Sequence, residues 1–433
     1  MNEYDSLAMR QLLQEKGFED VENMDEADIV ILETCSVRQK AEDKVFGMIG
    51  KLSARRRTTG LPVIIVAGCM AERMKQDLLK KFPQVDIIIG PGHIQYIAEK
   101  TQDVLQNFSA GKTAMSVLGF ETDRAGETYH KGLYNGIKEI KAFVTVIRGC
   151  ANYCSYCIVP YVRGPEQSRP YEEILTEISE LMERGVKEIT LLGQNINIYG
   201  KDLDPPISFP ELLKKIIAID SFDRVRFVTT HPKDTRAELI ELMAGEEKLM
   251  PYLHMPFQSG SDRILKKMNR KYTREEYMKK IESFRKIYPG LSITTDIIVG
   301  FPGESEEDYE QTKDMVQKIQ FDSAFIFKYS DRSGTRAAEE KEKVPESIIV
   351  RRHSELLALQ NEITLKKNKA MEGQMVHVLV EGESKTNPTR LTGRTEQNKI
   401  AVFEKNNTVK AGDIIKVKVA TGCSHSLYCK ILK

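Results

Sequence analysis

The sequence has no stretch approaching the ~18–20 consecutive apolar residues that a membrane-spanning helix needs, so no such helix is expected. It also has no apolar signal core. Its first residues, Met1-Asn2-Glu3-Tyr4-Asp5, are acidic, which argues against secretion. Cysteine is scarce: seven in 433 residues, an odd number in a chain that has no need of disulfide staples. That usage points to a reducing cytoplasm, with thiols kept for metal or catalysis. An excess of either charge is missing too. Lys+Arg number 64 against 63 Asp+Glu, so a whole-chain polycation is excluded. What is present is ordinary globular material, 41% hydrophobic and 29% charged, in a length that suggests roughly two to four domains.

The charge is segregated. From Ala370 to Lys433 there are ten Lys+Arg and six Asp+Glu, a net of +4, which leaves the rest of the chain near −3. A basic C-terminal module behind a neutral body is a pointer to a polyanionic partner. Three segments differ in pattern. Over residues 1–118, apolar runs at Asp28–Leu32, Pro62–Ala67 and Asp86–Ile89 alternate with helical stretches at Ser6–Lys16, Arg38–Arg57, Ala71–Lys81 and Gln95–Gln106. This predicts an α/β domain with a doubly wound parallel sheet. The domain begins on a helix, so a strand that would usually come first is missing. Residues 119–139 are polar and non-periodic and read as a linker.

Residues 140–369 repeat strand-then-helix six times and end in a charged helix, Pro345–Met371. The candidate strands are Phe143–Ile147, Glu188–Leu192, Val225–Thr229, Tyr252–Met255, Ser292–Val299 and Ala324–Tyr329. Six units are too few for a closed eight-unit barrel and predict a partial (β/α)6 barrel. In such sheets chemistry collects at the C-terminal ends of the strands. Cys150, Gln194 with Asn195, His231, Gln258 with Ser259, and Gly300 fall in five successive loops there. Residues 370–433 carry short alternating strands, such as Met375–Val380, Lys399–Phe403 and Asp413–Val419, and predict a small antiparallel barrel.

The strongest motif is Cys150-x3-Cys154-x2-Cys157. Three thiolates on one loop can ligate three irons of a [4Fe–4S] cluster and leave the fourth iron open. Zinc is the alternative. A structural zinc needs a closed shell of four ligands, and the next His or Cys in the chain is His231.

With an aromatic, Tyr156, before its last cysteine, this loop resembles those of radical S-adenosylmethionine enzymes. Arg148–Arg169 (RGCANYCSYCIVPYVRGPEQSR), Gly193–Tyr199 (GQNINIY), Gln258–Asp262 (QSGSD), Thr295–Glu304 (TDIIVGFPGE) and Tyr329–Thr335 (YSDRSGT) narrow the resemblance to the methylthiotransferases, closest to the MiaB branch. Residues 370–433, with Glu381–Lys385 and Leu391–Thr395, resemble the RNA-binding TRAM domain of that family. The resemblance covers nearly the whole chain. It implies methylthiolation at C2 of N6-isopentenyladenosine-37 in the anticodon stem-loop of tRNA. It also implies two [4Fe–4S] clusters, S-adenosylmethionine, an electron donor such as flavodoxin or ferredoxin, a sulfur carrier and a cytoplasmic location. Sister branches act on threonylcarbamoyladenosine of tRNA or on a ribosomal protein, and these remain alternatives.

Under the resemblance Cys150, Cys154 and Cys157 hold the radical cluster. Gln194, Asn195, His231, Gln258, Ser259, Asp296 and Gly300 are candidate contacts of S-adenosylmethionine. Each has a structural reading as well: loop caps, a hydrogen-bonding histidine, a tight turn. Asp296 lies inside an apolar strand and needs a partner. Cys35 and Cys69 each follow an apolar strand and match two of the three ligands of an auxiliary cluster in the first domain. The third is expected just before a Met-Asn-Glu-Tyr-Asp-like run, where this sequence starts. One expectation is a natural start further upstream. The other is an incomplete auxiliary site, which at its limit gives a non-catalytic RNA-binding iron–sulfur protein. Arg55–Arg57 read as a solvated helix end, Arg394, Lys399 and Lys416 as candidate phosphate contacts, and Cys423 and Cys429 as idle thiols.

Overall fold

The structure is a computed structural model that describes residues 2–34, 39–107, 115–118, 139–219 and 222–432. Cys35, Arg38 and all but the last residue of the expected linker 119–139 lie outside the described residues. Two compact units emerge. One comprises residues 1–137, 148–167 and 330–338, and the other 138–147, 168–329 and 339–433.

In the first unit, strands Ile29–Glu33, Val63–Ala67, Ile87–Ile89 and Met115–Val117 form a parallel sheet in that spatial order. Ile64 and Val66 point into a core with Val30, Ile88 and, from helix Gln39–Thr59, Ile49 and Leu52. Val63, Ile65 and Ala67 point the opposite way and are equally buried. A strand covered on both faces has no reason to alternate, and Val63–Ala67 is an unbroken apolar run. Helices Asn2–Glu15 and Ile97–Asn107 pack against one another. The helix expected over Ala71–Lys81 is two short ones, Cys69–Met74 and Gln76–Lys81, divided at Lys75, whose φ is 49°. Of the arginine run only Arg57 is exposed; Arg55 and Arg56 are half-buried, not solvated. Arg55 donates to the carbonyls of Met24 and Ala27. Arg56 forks onto the buried Asp86 at 2.7 and 2.9 Å. A buried carboxylate at a strand start demands such a cation.

In the second unit six parallel strands appear where the sequence pattern put them, as two three-stranded sheets. One holds Lys141–Thr145, Glu188–Leu192 and Arg224–Phe227, and the other Tyr252–His254, Ser292–Val299 and Ser323–Lys328. Between the sheets, Met250 N–H donates to Val225 O and Thr230 N–H to His254 O. Capping boxes at Ser208/Glu211, Thr273/Glu276 and Ser305/Asp308 start three of the flanking helices.

The long helix Glu346–Lys369 leads into a closed five-stranded barrel: Met375–Ser384, Asn387–Thr395, Ile400–Glu404, Ile414–Gly422 and Leu427–Ile431. Ile400–Glu404 and Leu427–Ile431 pair parallel, so the barrel is not wholly antiparallel as expected. The barrel is fastened to the six-stranded part by buried arginines. Arg224 donates to the carbonyls of Arg394 and His377, and Arg226 to those of Glu396 and Thr395. Glu188 accepts from Arg226 at 2.9 Å. Lys399 is half-buried and paired with Asp322 and Asn368, which removes it from the candidate phosphate contacts. No helix among the described residues is long and apolar enough to cross a membrane.

Candidate active site

The cysteine loop belongs to the first unit. Gly149 opens it at φ 78°, and a Cβ there would lie 1.8 Å from Pro165 O, so only glycine lets the loop return on itself. Cys150 N–H closes the turn onto Gly164 O at 3.0 Å, and Glu166 accepts from Ala151 N–H at 2.7 Å. Cys157 N–H donates to Cys154 O, and Asn152 Nδ2 donates to Cys150 Sγ at 3.4 Å. Cys154 is buried and the other two thiols are half-buried. Burial pushes the Cys150 thiol up. Residues 330–338 dock on the loop through Ala337 N–H to Ser155 O.

Cys69 starts its short helix at the C-terminal end of Val63–Ala67 and packs on Ile158 and Val162, which follow the cysteine loop. Arg163 Nε donates to Cys69 Sγ at 3.3 Å, and its Nη2 donates to Asp5 at 2.8 Å. Asp5 is completely buried and is also reached by Arg148. Burial opposes the charge on Arg163, but Cys69 and Asp5 outweigh it and hold the guanidinium firmly protonated. Glu33, on the same rim, is pushed by burial up to about 7.

The remaining candidates lie in the second unit. Asn195 is 1% exposed and donates Nδ2 to Asp234 at 2.7 Å, while its Oδ1 is buried without a partner. It does not cap the turn that follows it. His231 is a structural hydrogen-bonder: Nδ1 accepts from Lys233 N–H, its own N–H donates to Asn197, and Tyr272 stacks on it edge-to-face. Gln258 adopts φ 69° and joins strand Ser292–Val299 through Asp296 O and Ile298 N–H. Ser259 accepts from Ser261 N–H at 3.3 Å and turns toward Thr312. A Cβ on Gly300 would meet Ile349 of the helix Glu346–Lys369 at 2.4 Å, so close helix packing accounts for this glycine. Asp296 is paired with His254 at 3.4 Å, whose Nδ1 lies 3.0 Å from Thr294 Oγ1. The rim segments thus join in two pairs, Asn195–Asn197 with His231–Thr235 and Gln258 with Asp296. Gln194 is half-buried, two residues beyond the end of Glu188–Leu192.

The comparisons bear on what these sites serve. Family models match at residues 1–90 (uncharacterized protein family UPF0004), 144–316 (radical SAM superfamily) and 369–432 (TRAM domain). A protein of Syntrophobacter fumaroxidans named tRNA-2-methylthio-N(6)-dimethylallyladenosine synthase is 45% identical over 100% of this chain and 93% of its own. Proteins of the same name from Clostridium novyi (44%, covering 100% and 94%) and Moorella thermoacetica (42%, covering 97% and 93%) agree. The chain belongs to the MiaB family of radical S-adenosylmethionine methylthiotransferases. At the level of fold, the radical S-adenosylmethionine methyltransferase TsrM of Kitasatospora setae superposes with TM-score 0.55 at 15% identity, over 77% of this chain and 71% of its own.

MiaB-family membership implies a [4Fe–4S] cluster and S-adenosylmethionine, and the donor set fits. Among the described residues no three His, Cys, Asp or Glu side chains converge on a single metal ion. A cluster asks for a different arrangement, because each thiolate takes its own iron. Three cysteines on a loop pinned at Gly149 supply that. The partnerless Asn195 Oδ1 fits a polar ligand in the second unit. Sequence reasoning missed Asp5, Arg163 and His254. Arg163 lies inside the Arg148–Arg169 motif, but its bond to Cys69 spans 94 residues and leaves no local pattern.

Proposed function

We propose that this chain adds a methylthio group to C2 of N6-isopentenyladenosine-37 in the anticodon stem-loop of tRNA. One observation carries the reading: the relatives that share 42–45% identity along almost its full length are named for that product. Cys150, Cys154 and Cys157 would hold the radical cluster, and Cys35 and Cys69 would belong to an auxiliary one. When bound, the radical cluster supplies the electron that cleaves S-adenosylmethionine, and the auxiliary cluster relays sulfur. The chain's residues then have simple tasks. Gly149 and Glu166 shape the loop, Arg163 orients the Cys69 sulfur, and Asn195 accepts a hydrogen bond from the cofactor. Gln194, Gln258, Ser259 and Asp296 line the strand ends, with His231 and Gly300 acting through the scaffold. The domains run 1–118, 119–139 as linker, 140–369 and 370–433. An electron donor such as flavodoxin or ferredoxin, a sulfur carrier and a cytoplasmic setting complete the reading.

The test is nucleoside mass spectrometry of tRNA from a strain lacking its own synthase, with and without this gene. Appearance of 2-methylthio-N6-isopentenyladenosine is the expected result. A methylthio group on threonylcarbamoyladenosine, or unchanged tRNA, would overturn it. Replacing Cys150, Cys154 and Cys157 together by Ala should abolish S-adenosylmethionine cleavage and remove about four irons per chain, read by anaerobic iron assay.

A further inference from the structure

The strands Tyr252–His254, Ser292–Val299 and Ser323–Lys328 have one packed face and one open one. Thr295 and Tyr277, from helix Arg274–Ile287, both donate to Met255 O, so Thr295 faces the helices. Leu253, Ile293, Ile297 and Val299 share that side by alternation and are at most 1% exposed. Residues between them turn inward. There Tyr252, His254, Asp296, Ile298 and Phe327 are only half-buried, and Phe325 is 50% exposed. Register puts these together. Asp296 stands beside Phe325, Ile298 beside Phe327 in the next row, and His254 beside Thr294 in the row before. His254 ties the rows. Its Nε2 is 3.4 Å from Asp296, its Nδ1 is 3.0 Å from Thr294 Oγ1, and the Phe325 ring meets it edge-to-face with centroids 6.1 Å apart. Ring and carboxylate are thereby held in set positions.

Charge on the open face is one-sided. The only lysine or arginine of the three strands is Lys328, which alternates to the other side and pairs with Glu346. Arg226, on the strand next to Tyr252–His254, is 4% exposed and engaged by Glu188 and by carbonyls of the C-terminal barrel. These strands therefore offer adjoining apolar side chains and one carboxylate, with no cation beside it. An uncharged apolar group gains by covering Phe325, Ile298 and Phe327. A group that ends in a carboxylate meets Asp296 with nothing on these strands to pair it. The two tRNA nucleosides that the sequence left as alternatives differ in this respect. Isopentenyl is a short branched hydrocarbon, and threonylcarbamoyl carries a carboxylate.

We infer that Phe325, with Ile298 and Phe327 beside it, receives the N6-isopentenyl group of the substrate adenosine, and that Asp296, held by His254, rejects an acidic N6 substituent. This specificity rests on the function proposed above.

The probes are anticodon stem-loop oligonucleotides that differ only at adenosine-37, whose N6 carries isopentenyl, threonylcarbamoyl or no substituent. Binding to the full, cluster-loaded chain is read by fluorescence anisotropy. The unaltered chain should hold the isopentenyl form at least about tenfold more tightly than the unsubstituted one. Phe325→Ala should remove that preference and leave the affinity for the unsubstituted form as it was, which also shows that the variant is folded. Phe325→Leu should keep most of the preference. Asp296→Asn, which can still bond to His254, should bind the threonylcarbamoyl form about tenfold more tightly and the isopentenyl form unchanged. A preference that survives Phe325→Ala overturns the assignment, and an equal loss for all three oligonucleotides makes the ring structural and overturns it too. A Phe325→Ala chain that loses S-adenosylmethionine in equilibrium dialysis, but keeps its preference, gives the face to the cofactor instead. Continued rejection of the threonylcarbamoyl form by Asp296→Asn overturns the carboxylate's part. Each of these results leaves the methylthiolation reading standing, since that is decided by nucleoside mass spectrometry. A Phe325-dependent preference in a chain that modifies no tRNA overturns that reading and leaves the face.

Discussion

His231 sits on a strand rim where a ligand histidine would sit, yet its environment settles it as neutral. Burial, with Arg270, Lys233 and Lys280 nearby, pulls its pKa from 6.5 down to about 2. The unfolded chain takes up that proton near 6.5, and the folded chain refuses it. Stability is therefore fully present above pH 6.5 and falls as the pH drops, by up to ~1.4 kcal/mol per pH unit. Urea titrations of His231→Gln at pH 7, 6 and 5 should show a flatter dependence than the unaltered chain, and an equal dependence would assign the effect to another group. Gly300 makes a second residue-scale case. Gly300→Ala meets Ile349 at a φ of 77° and should cost about 2–3 kcal/mol. Adding Ile349→Ala should relieve the clash but not the backbone strain. If the double variant is simply the sum of the two losses, helix packing is not the reason for the glycine.

Helices and strands depend on such residues at their ends. Asp308 serves two helices. It completes the capping box of Glu306–Ile319 through Ser305, and it accepts from Ser261, the cap of Asp262–Lys267, at 2.6 Å. Burial works against its charge, but Arg263, Ser261 and Ser305 outweigh burial and hold the carboxyl well below its usual range. Asp308→Ala should cost about 2–3 kcal/mol in chemical denaturation, more than one cap is worth. The sequence pattern found the six βα strands within a residue or two, because each is a short apolar run closed by turn residues. It did not find Met115–Val117, Asn387–Thr395 or Leu427–Ile431. The first has three residues. The second begins Asn-Pro-Thr-Arg, and the third carries Tyr428 and Lys430 on its solvent face, so neither reads as apolar. The break at Lys75 was invisible because nothing in the sequence marks a left-handed lysine.

At the scale of the whole molecule, the C-terminal barrel is part of the second unit and not a module on a tether. Arg224 and Arg226 are 2% and 4% exposed and depend on four of its carbonyls. A chain ending at residue 369 should lose about 3–5 kcal/mol or fail to fold, because buried charges lose their partners. In that shortened chain, Glu188→Leu with Arg224→Met and Arg226→Met should recover much of the loss in thermal unfolding. No recovery would mean the arginines are not the link. The strand-and-helix alternation and the small C-terminal barrel were legible in the sequence because their patterns are local. The Arg163–Cys69–Asp5 contacts and the His254–Asp296 pair were not, because each joins residues dozens of positions apart.

The parallel pairing of Ala401 with Leu427 and Val402 with Tyr428 closes the C-terminal barrel. Each of the five strands therefore has a neighbour on both sides, and the barrel presents no whole edge strand for a partner to extend. Recognition at this end of the chain has to be carried by side chains alone, which makes it adjustable one residue at a time without disturbing the wall that carries them.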